Sequence, residues 1–152
     1  GMHGYAIGVQ LANPDKRVIG GMGDWEAHQG ALWNNLYTCA HHRIPVVWFI
    51  LDNQSGATVR SSHFGFRQAI YDYAMQGKPR YWCVELDEPR QDYVKLADSL
   101  GLAGRYVDRA DGIAPALQEA LNRRDRSTVL AINCVAFADF TEGLSPERDR
   151  QR

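Results

Sequence analysis

Val46-Val47-Trp48-Phe49-Ile50-Leu51 is apolar at every position, and nothing else in the chain restricts the fold as strongly. A strand with one wetted face alternates apolar and polar residues, so an unbroken run of this kind needs cover on both faces. The centre of a parallel sheet provides that cover. A bilayer does not, because the run is far too short to span one.

The flanking sequence supports this placement, since apolar runs alternate with helix-period segments as in an α/β domain. Residues 4 to 12 (GYAIGVQLA) predict a helix closed by the turn signal Asn13-Pro14-Asp15. RVIGGM from Arg17 reads as a short strand running into glycines. From Ala27 to His42 one helix is expected, with Leu32, Leu36, Cys39 and Ala40 on its inner face. Tyr93, Leu96, Ala97 and Leu100 predict a helix stopping at Gly101, and Arg105 to Val107 a short strand. Asp111 is expected to cap a helix carrying Ile113, Leu117 and Leu121, with Pro115 in its first turn. TVLAINCV from Thr128 closes the sheet. The fold expected is a three-layer α/β/α domain with a mostly parallel central sheet over residues 1–138, followed by a polar tail, 139–152, that is an arm or disordered.

Net charge is −1 over 152 residues, so no basic surface argues for nucleic acid or an anionic membrane. Cys39, Cys83 and Cys134 are widely spaced and odd in number, which suits reduced thiols in a cytoplasmic protein. Cys39, His41 and His42 fall on one helix without a second ligand pair, which disfavours zinc. The glycines of GGMGDWEAHQG, residues 20–30, have neither dinucleotide-fold nor P-loop spacing. Asn53-Gln54-Ser55 matches a glycosylation acceptor, a reading that lacks any signal segment to support it. His28, one turn past Asp24, reads as a hydrogen-bonded structural histidine, and Trp33 and Trp48 as core or interface.

The chemistry concentrates at Asp24. It lies where a strand hands over to a helix, on the sheet edge at which open α/β domains bind ligands. A helix N-terminus attracts phosphate, and a bare carboxylate there repels it. A hard divalent cation between the two removes the conflict, because Mg²⁺ combines one or two protein oxygens with phosphate oxygens. The buried run ends in Asp52-Asn53-Gln54-Ser55-Gly56, so Asn53 can add an amide oxygen and Ser55 a main-chain carbonyl.

GDW followed, at the appropriate distance, by a Pro-led apolar strand and Asn53 resembles the thiamine diphosphate motif. LANPDKRVIGGMGD is similar to the segment before that motif in acetolactate synthase and the thiamine-dependent 2-oxo acid decarboxylases. NQSGAT resembles the following loop in benzaldehyde lyase relatives, and ELDEPRQDYVKLADSLGLAGRYV their later helix-turn-strand. The resemblance covers residues 2 to 136 and implies a thiamine diphosphate-binding fold. Carried over by position, Asp24 and Asn53 hold Mg²⁺ through side-chain oxygens and Ser55 through its carbonyl. The backbone of Gly23, Trp25 and Glu26 faces the diphosphate, with Gly56 in the same loop. Met2 and His3 correspond to a segment beside the aminopyrimidine ring.

Two positions depart from the motif. Trp25 stands where glycine is common, and Asp52 replaces the first asparagine of the usual pair, so its carboxylate either points away from the metal or alters the local charge. GDWEAHQGALWNN also resembles transketolases and 2-oxo acid dehydrogenases. No residue matches the glutamate with which this family activates its cofactor. The resemblance therefore implies a diphosphate-binding subunit or fragment acting on a 2-oxo acid, in a hetero-oligomer or homodimer whose pyrimidine-binding domain brings that glutamate. The alternatives are a non-catalytic assembly subunit that retains the thiamine-enzyme fold and a transketolase- or 2-oxo acid dehydrogenase-like subunit.

Overall fold

The structure, a computed structural model, describes residues 2–54, 56 and 90–134. Ser55, Cys83 and the tail 139–152 lie outside the described residues. In chain order the elements are α1 (Met2–Ala12), β1 (Ile19–Gly23), α2 (Asp24–Gln29), α3 (Leu32–His42), β2 (Val47–Asp52), α4 (Tyr93–Ser99), β3 (Ala103–Val107), a 3₁₀ turn (Ala110–Gly112), α5 (Ile113–Asn122) and β4 (Thr128–Asn133).

The strands form a parallel sheet in the order β1-β2-β4-β3. β2 is a central strand, as its unbroken apolar run predicts. Val46, Trp48 and Ile50 face one core, with Met22, Ala27, Leu36, Cys39, Ala97 and Val129. Val47 faces the other, with Leu130, Ile132, Ala116 and Ala120, and Phe49 packs against it. Helices α1 to α4 thus cover one face and α5 the other, giving three layers. α4 approaches β3 closely, because a Cβ at Gly104 would lie 3.0 Å from the Val94 backbone. No helix among the described residues is long and apolar enough to cross a membrane.

Two expectations need correction. The single helix expected from Ala27 to His42 is two helices, broken where Ala31 turns left-handed at φ 52°. The inward periodicity belongs to α3 alone, through Leu32, Leu36 and Cys39. Asp111 does not cap α5, whose N-cap is Gly112 with no side-chain bond. Its carboxylate pairs instead with the Arg109 guanidinium at 3.2 Å, because the 3₁₀ turn carries it away from the helix end.

Other ends follow local chemistry. Gly101 takes φ 69° just beyond α4, and the N–H groups of Gly101 and Leu102 return to the carbonyls of Asp98 and Ala97. This is the glycine-closed helix end predicted at that position. Asp92 caps the other end of α4, its carboxylate accepting from the N–H groups of Val94 and Lys95.

Candidate functional site at the carboxyl edge of the sheet

The register builds the site. Gly23, the last residue of β1, pairs with Leu51, so the chain leaves β1 at Asp24 and β2 at Asp52 and Asn53 on adjacent strand ends. Asp52 in turn pairs with Asn133 of β4. Asp24 is 2% exposed and opens α2, whose N-cap, Gly23, offers no side-chain cap. One Asp24 carboxylate oxygen accepts from the Trp25 N–H at 2.7 Å. Among the described residues, a Cβ added at Gly21 or Gly23 would meet no atom within 4 Å.

Behind the carboxylates stands Tyr93, whose hydroxyl donates to the Asp24 carbonyl at 3.3 Å. Burial raises its pKa, and the charges of Asp24 and Asp52 raise it further, so the phenol remains a neutral donor. Cys134 lies on the same edge, with its N–H on the Asp52 carbonyl at 2.9 Å. Burial, and then Asp52 and Asp24, push its thiol up, which keeps it protonated and unreactive.

Asp52 is neutralised by a partner that sequence reasoning missed. Its side chain is 4% exposed and accepts from Arg90 Nη2 at 2.8 Å. The guanidinium lies 5.1 Å from the Tyr106 ring centroid and bonds the Tyr106 hydroxyl. The hydrogen bond to Asp52 is the main reason the Arg90 pKa rises. A buried carboxylate in place of the motif's asparagine requires such a cation. The departure at 52 was the available signal, but it could not say which distant arginine responds.

Among the described residues no three His, Cys, Asp or Glu side chains converge on a metal position, so a nitrogen- or sulfur-rich site such as zinc has no support there. A buried carboxylate beside an asparagine amide is an oxygen donor set, which fits Mg²⁺ completed by phosphate oxygens.

The family described as thiamine pyrophosphate enzyme, C-terminal TPP binding domain, matches residues 2–132. The chain belongs to that family. It is 34% identical to a probable acetolactate synthase large subunit of Methanococcus aeolicus, over 77% of this chain and 17% of that protein. It is 30% identical to a benzoylformate decarboxylase of Pseudomonas aeruginosa, over 84% of this chain and 21% of the relative. Among solved structures, a thiamine diphosphate-dependent 4-hydroxybenzoylformate decarboxylase from Rhodococcus jostii RHA1 superposes with TM-score 0.67 at 30% identity, over 86% of this chain and 22% of that one. The chain thus spans about a fifth of the length of these relatives.

Within this thiamine pyrophosphate-binding domain, Gly23, Asp24, Trp25, Glu26, Asn53 and Gly56 occupy one edge. The Trp25 indole lies against the loop after Asn53, so close that a Cβ at Gly56 would be 3.0 Å from its Cδ2. The bulk at position 25 is accommodated by glycine at 56. His3 is elsewhere: it is 2% exposed, its Nε2 is 2.9 Å from Met22 Sδ, and its ring centroid is 6.0 Å from that of Trp48. Burial lowers its pKa, so the core holds it neutral. Met2, the first residue of α1, precedes it. His28 is exposed, with its ring 6.4 Å from Trp25. Cys39 and Trp48 are fully buried, whereas Trp33 is 43% exposed.

Proposed function

We propose that this chain is the diphosphate- and Mg²⁺-binding domain of an enzyme acting on 2-oxo acids by decarboxylation, carboligation or both. The observation that carries the reading is the β1/β2 register, which leaves Asp24 and Asn53 as oxygen donors on adjacent strand ends in a family of thiamine pyrophosphate-binding domains. Asp24 and Asn53 hold the cation through side-chain oxygens and Ser55 through its main-chain carbonyl. The backbone of Gly23, Trp25, Glu26 and Gly56 lines the diphosphate. Thiamine diphosphate, held there, would supply the electron sink for chemistry at the 2-oxo carbon.

The chain's own residues bind and orient, and the activating glutamate comes from a pyrimidine-binding domain, on this polypeptide or a partner. Such an assembly also excludes water from the reacting atoms. Free Cys39 and Cys134 suit a reducing compartment such as the cytoplasm.

Calorimetry of the 152-residue chain with thiamine diphosphate and Mg²⁺ tests the binding assignment. Saturable binding that requires Mg²⁺ and disappears in Asp24→Ala is expected; a chain that binds neither favours the assembly-subunit reading. Turnover of 2-oxo acids is expected only after a pyrimidine-binding domain is added, and robust turnover by this chain alone would defeat the partner requirement.

A further inference from the structure

The loop that carries Asn53 is gripped on both sides by one arginine. Asp52, before Asn53, takes an Arg90 N–H at 2.8 Å. Gln54, after it, presents its amide oxygen 2.9 Å from Arg90 Nη1 in the amide orientation that satisfies both partners. The Gln54 N–H also returns to the Asp52 carboxylate at 3.3 Å. Gln54 adopts φ 59°, a left-handed conformation that a residue with a Cβ rarely takes without outside support. On its far side the guanidinium rests on Tyr106 of β3, so it ties the end of β2 to a strand two places away in the sheet.

We infer that Arg90 is a positioning residue that fixes Asn53 as a cation ligand by clamping Asp52 and Gln54. This rests on the function proposed above. The clamp has two effects. It holds the Asp52 carboxylate toward Arg90, so the carboxylate does not compete with Asn53 for the metal. It also stabilises the left-handed residue after Asn53, which sets the direction in which the loop leaves the strand. Arginine suits this role because its planar fork serves several acceptors at once while its face packs on an aromatic ring. Outer partners of metal ligands of this kind typically change affinity about 10- to 100-fold when removed.

The test is a double-mutant cycle in the full chain, with Arg90→Met, Asp52→Asn and the pair combined. Mn²⁺ affinity at saturating thiamine diphosphate is read by calorimetry or by the electron paramagnetic resonance of the free ion. Arg90→Met is expected to weaken Mn²⁺ binding at least about tenfold, because Asp52 and Gln54 lose the group that holds the loop on either side of Asn53. Asp52→Asn alone is expected to bind within about threefold of wild type, since the amide oxygen still accepts from Arg90. The combined variant has no orphaned charge, so its stability should return, but without Arg90 on Asp52 and Gln54 its Mn²⁺ affinity should stay low. Stability restored with affinity still low separates positioning from a general loss of stability. A wild-type chain that binds no Mn²⁺ with thiamine diphosphate overturns the functional reading and the clamp together. A wild type that binds, with Arg90→Met unaffected or its loss fully relieved by Asp52→Asn, overturns the clamp alone.

Discussion

Gly30→Ala adds a single methyl group at the end of α2, and the structure assigns its cost to one contact region. Gly30 has φ −78° and ψ 7°, angles open to any residue, so no left-handed strain is involved. The added Cβ would lie 2.2 Å from His3 Cε1, 2.6 Å from His3 Nδ1 and 2.7 Å from the Glu26 carbonyl oxygen. That carbonyl already accepts the Gly30 N–H, and Met22 and Trp48 hold the imidazole from its other sides. Neither neighbour yields freely, which puts the substitution at the upper end of overpacking costs, about 3 kcal/mol. For a domain of this size the melting temperature should fall by roughly 6–12 °C. His3→Ala should remove part of the obstruction, so the double variant should be more stable than the sum of the single changes predicts. Gly101→Ala offers a contrast, because its Cβ meets no atom within 4 Å but φ is 69°; it should lose only about 1–2 kcal/mol, with no coupling to His3. Calorimetric or circular dichroism melts decide the matter. A Gly30→Ala melt within about 2 °C of wild type, or strict additivity with His3→Ala, would refute the reasoning.

Arg17 donates to the carbonyls of Leu121, Ala120 and Arg123 at the end of α5 and of Pro45 before β2, so Arg17→Met should lower the stability read by urea titration by about 2–4 kcal/mol. Arg17→Lys should restore only part of it, since a point charge cannot reproduce the fork. His3 has its pKa lowered chiefly by burial, so as pH falls below about 6.5 the unfolded chain takes up a proton that the folded one resists. Stability should therefore be intact above that pH and decline below it, down to the folded-state pKa; a urea midpoint series should lose this component in His3→Gln. Asn53→Ala should abolish most of the melting-temperature rise produced by Mg²⁺ with thiamine diphosphate, a rise worth about 2.7 kcal/mol at a hundredfold excess over Kd. Its melt without ligand should stay close to wild type, and an undiminished ligand response would remove Asn53 from the cation.

The sequence by itself determined the features that need only a few neighbouring residues. An unbroken apolar run at Val46–Leu51 can be satisfied only with cover on both faces, and β2 has it. Alternation of such runs with helical periods leads to parallel strands, and Gly101 closes its helix because glycine enters the left-handed region at little cost. The placement of Asp24 and Asn53 at two strand ends was legible for the same reason: each follows its own strand directly. Tertiary structure decided what depends on residues distant in the chain. The break at Gly30 and Ala31 accompanies the packing of His3, from another helix, against Gly30. Asp111 lost its expected capping role to a 3₁₀ turn and an arginine, alternatives that local propensity does not rank. The charge at Asp52 announced that a cation was needed, but hydrophobic periodicity carries no information about charge partners. Only the fold, by setting β3 two places from β2 and bringing Arg90 and Tyr106 to the same edge, selected the partner.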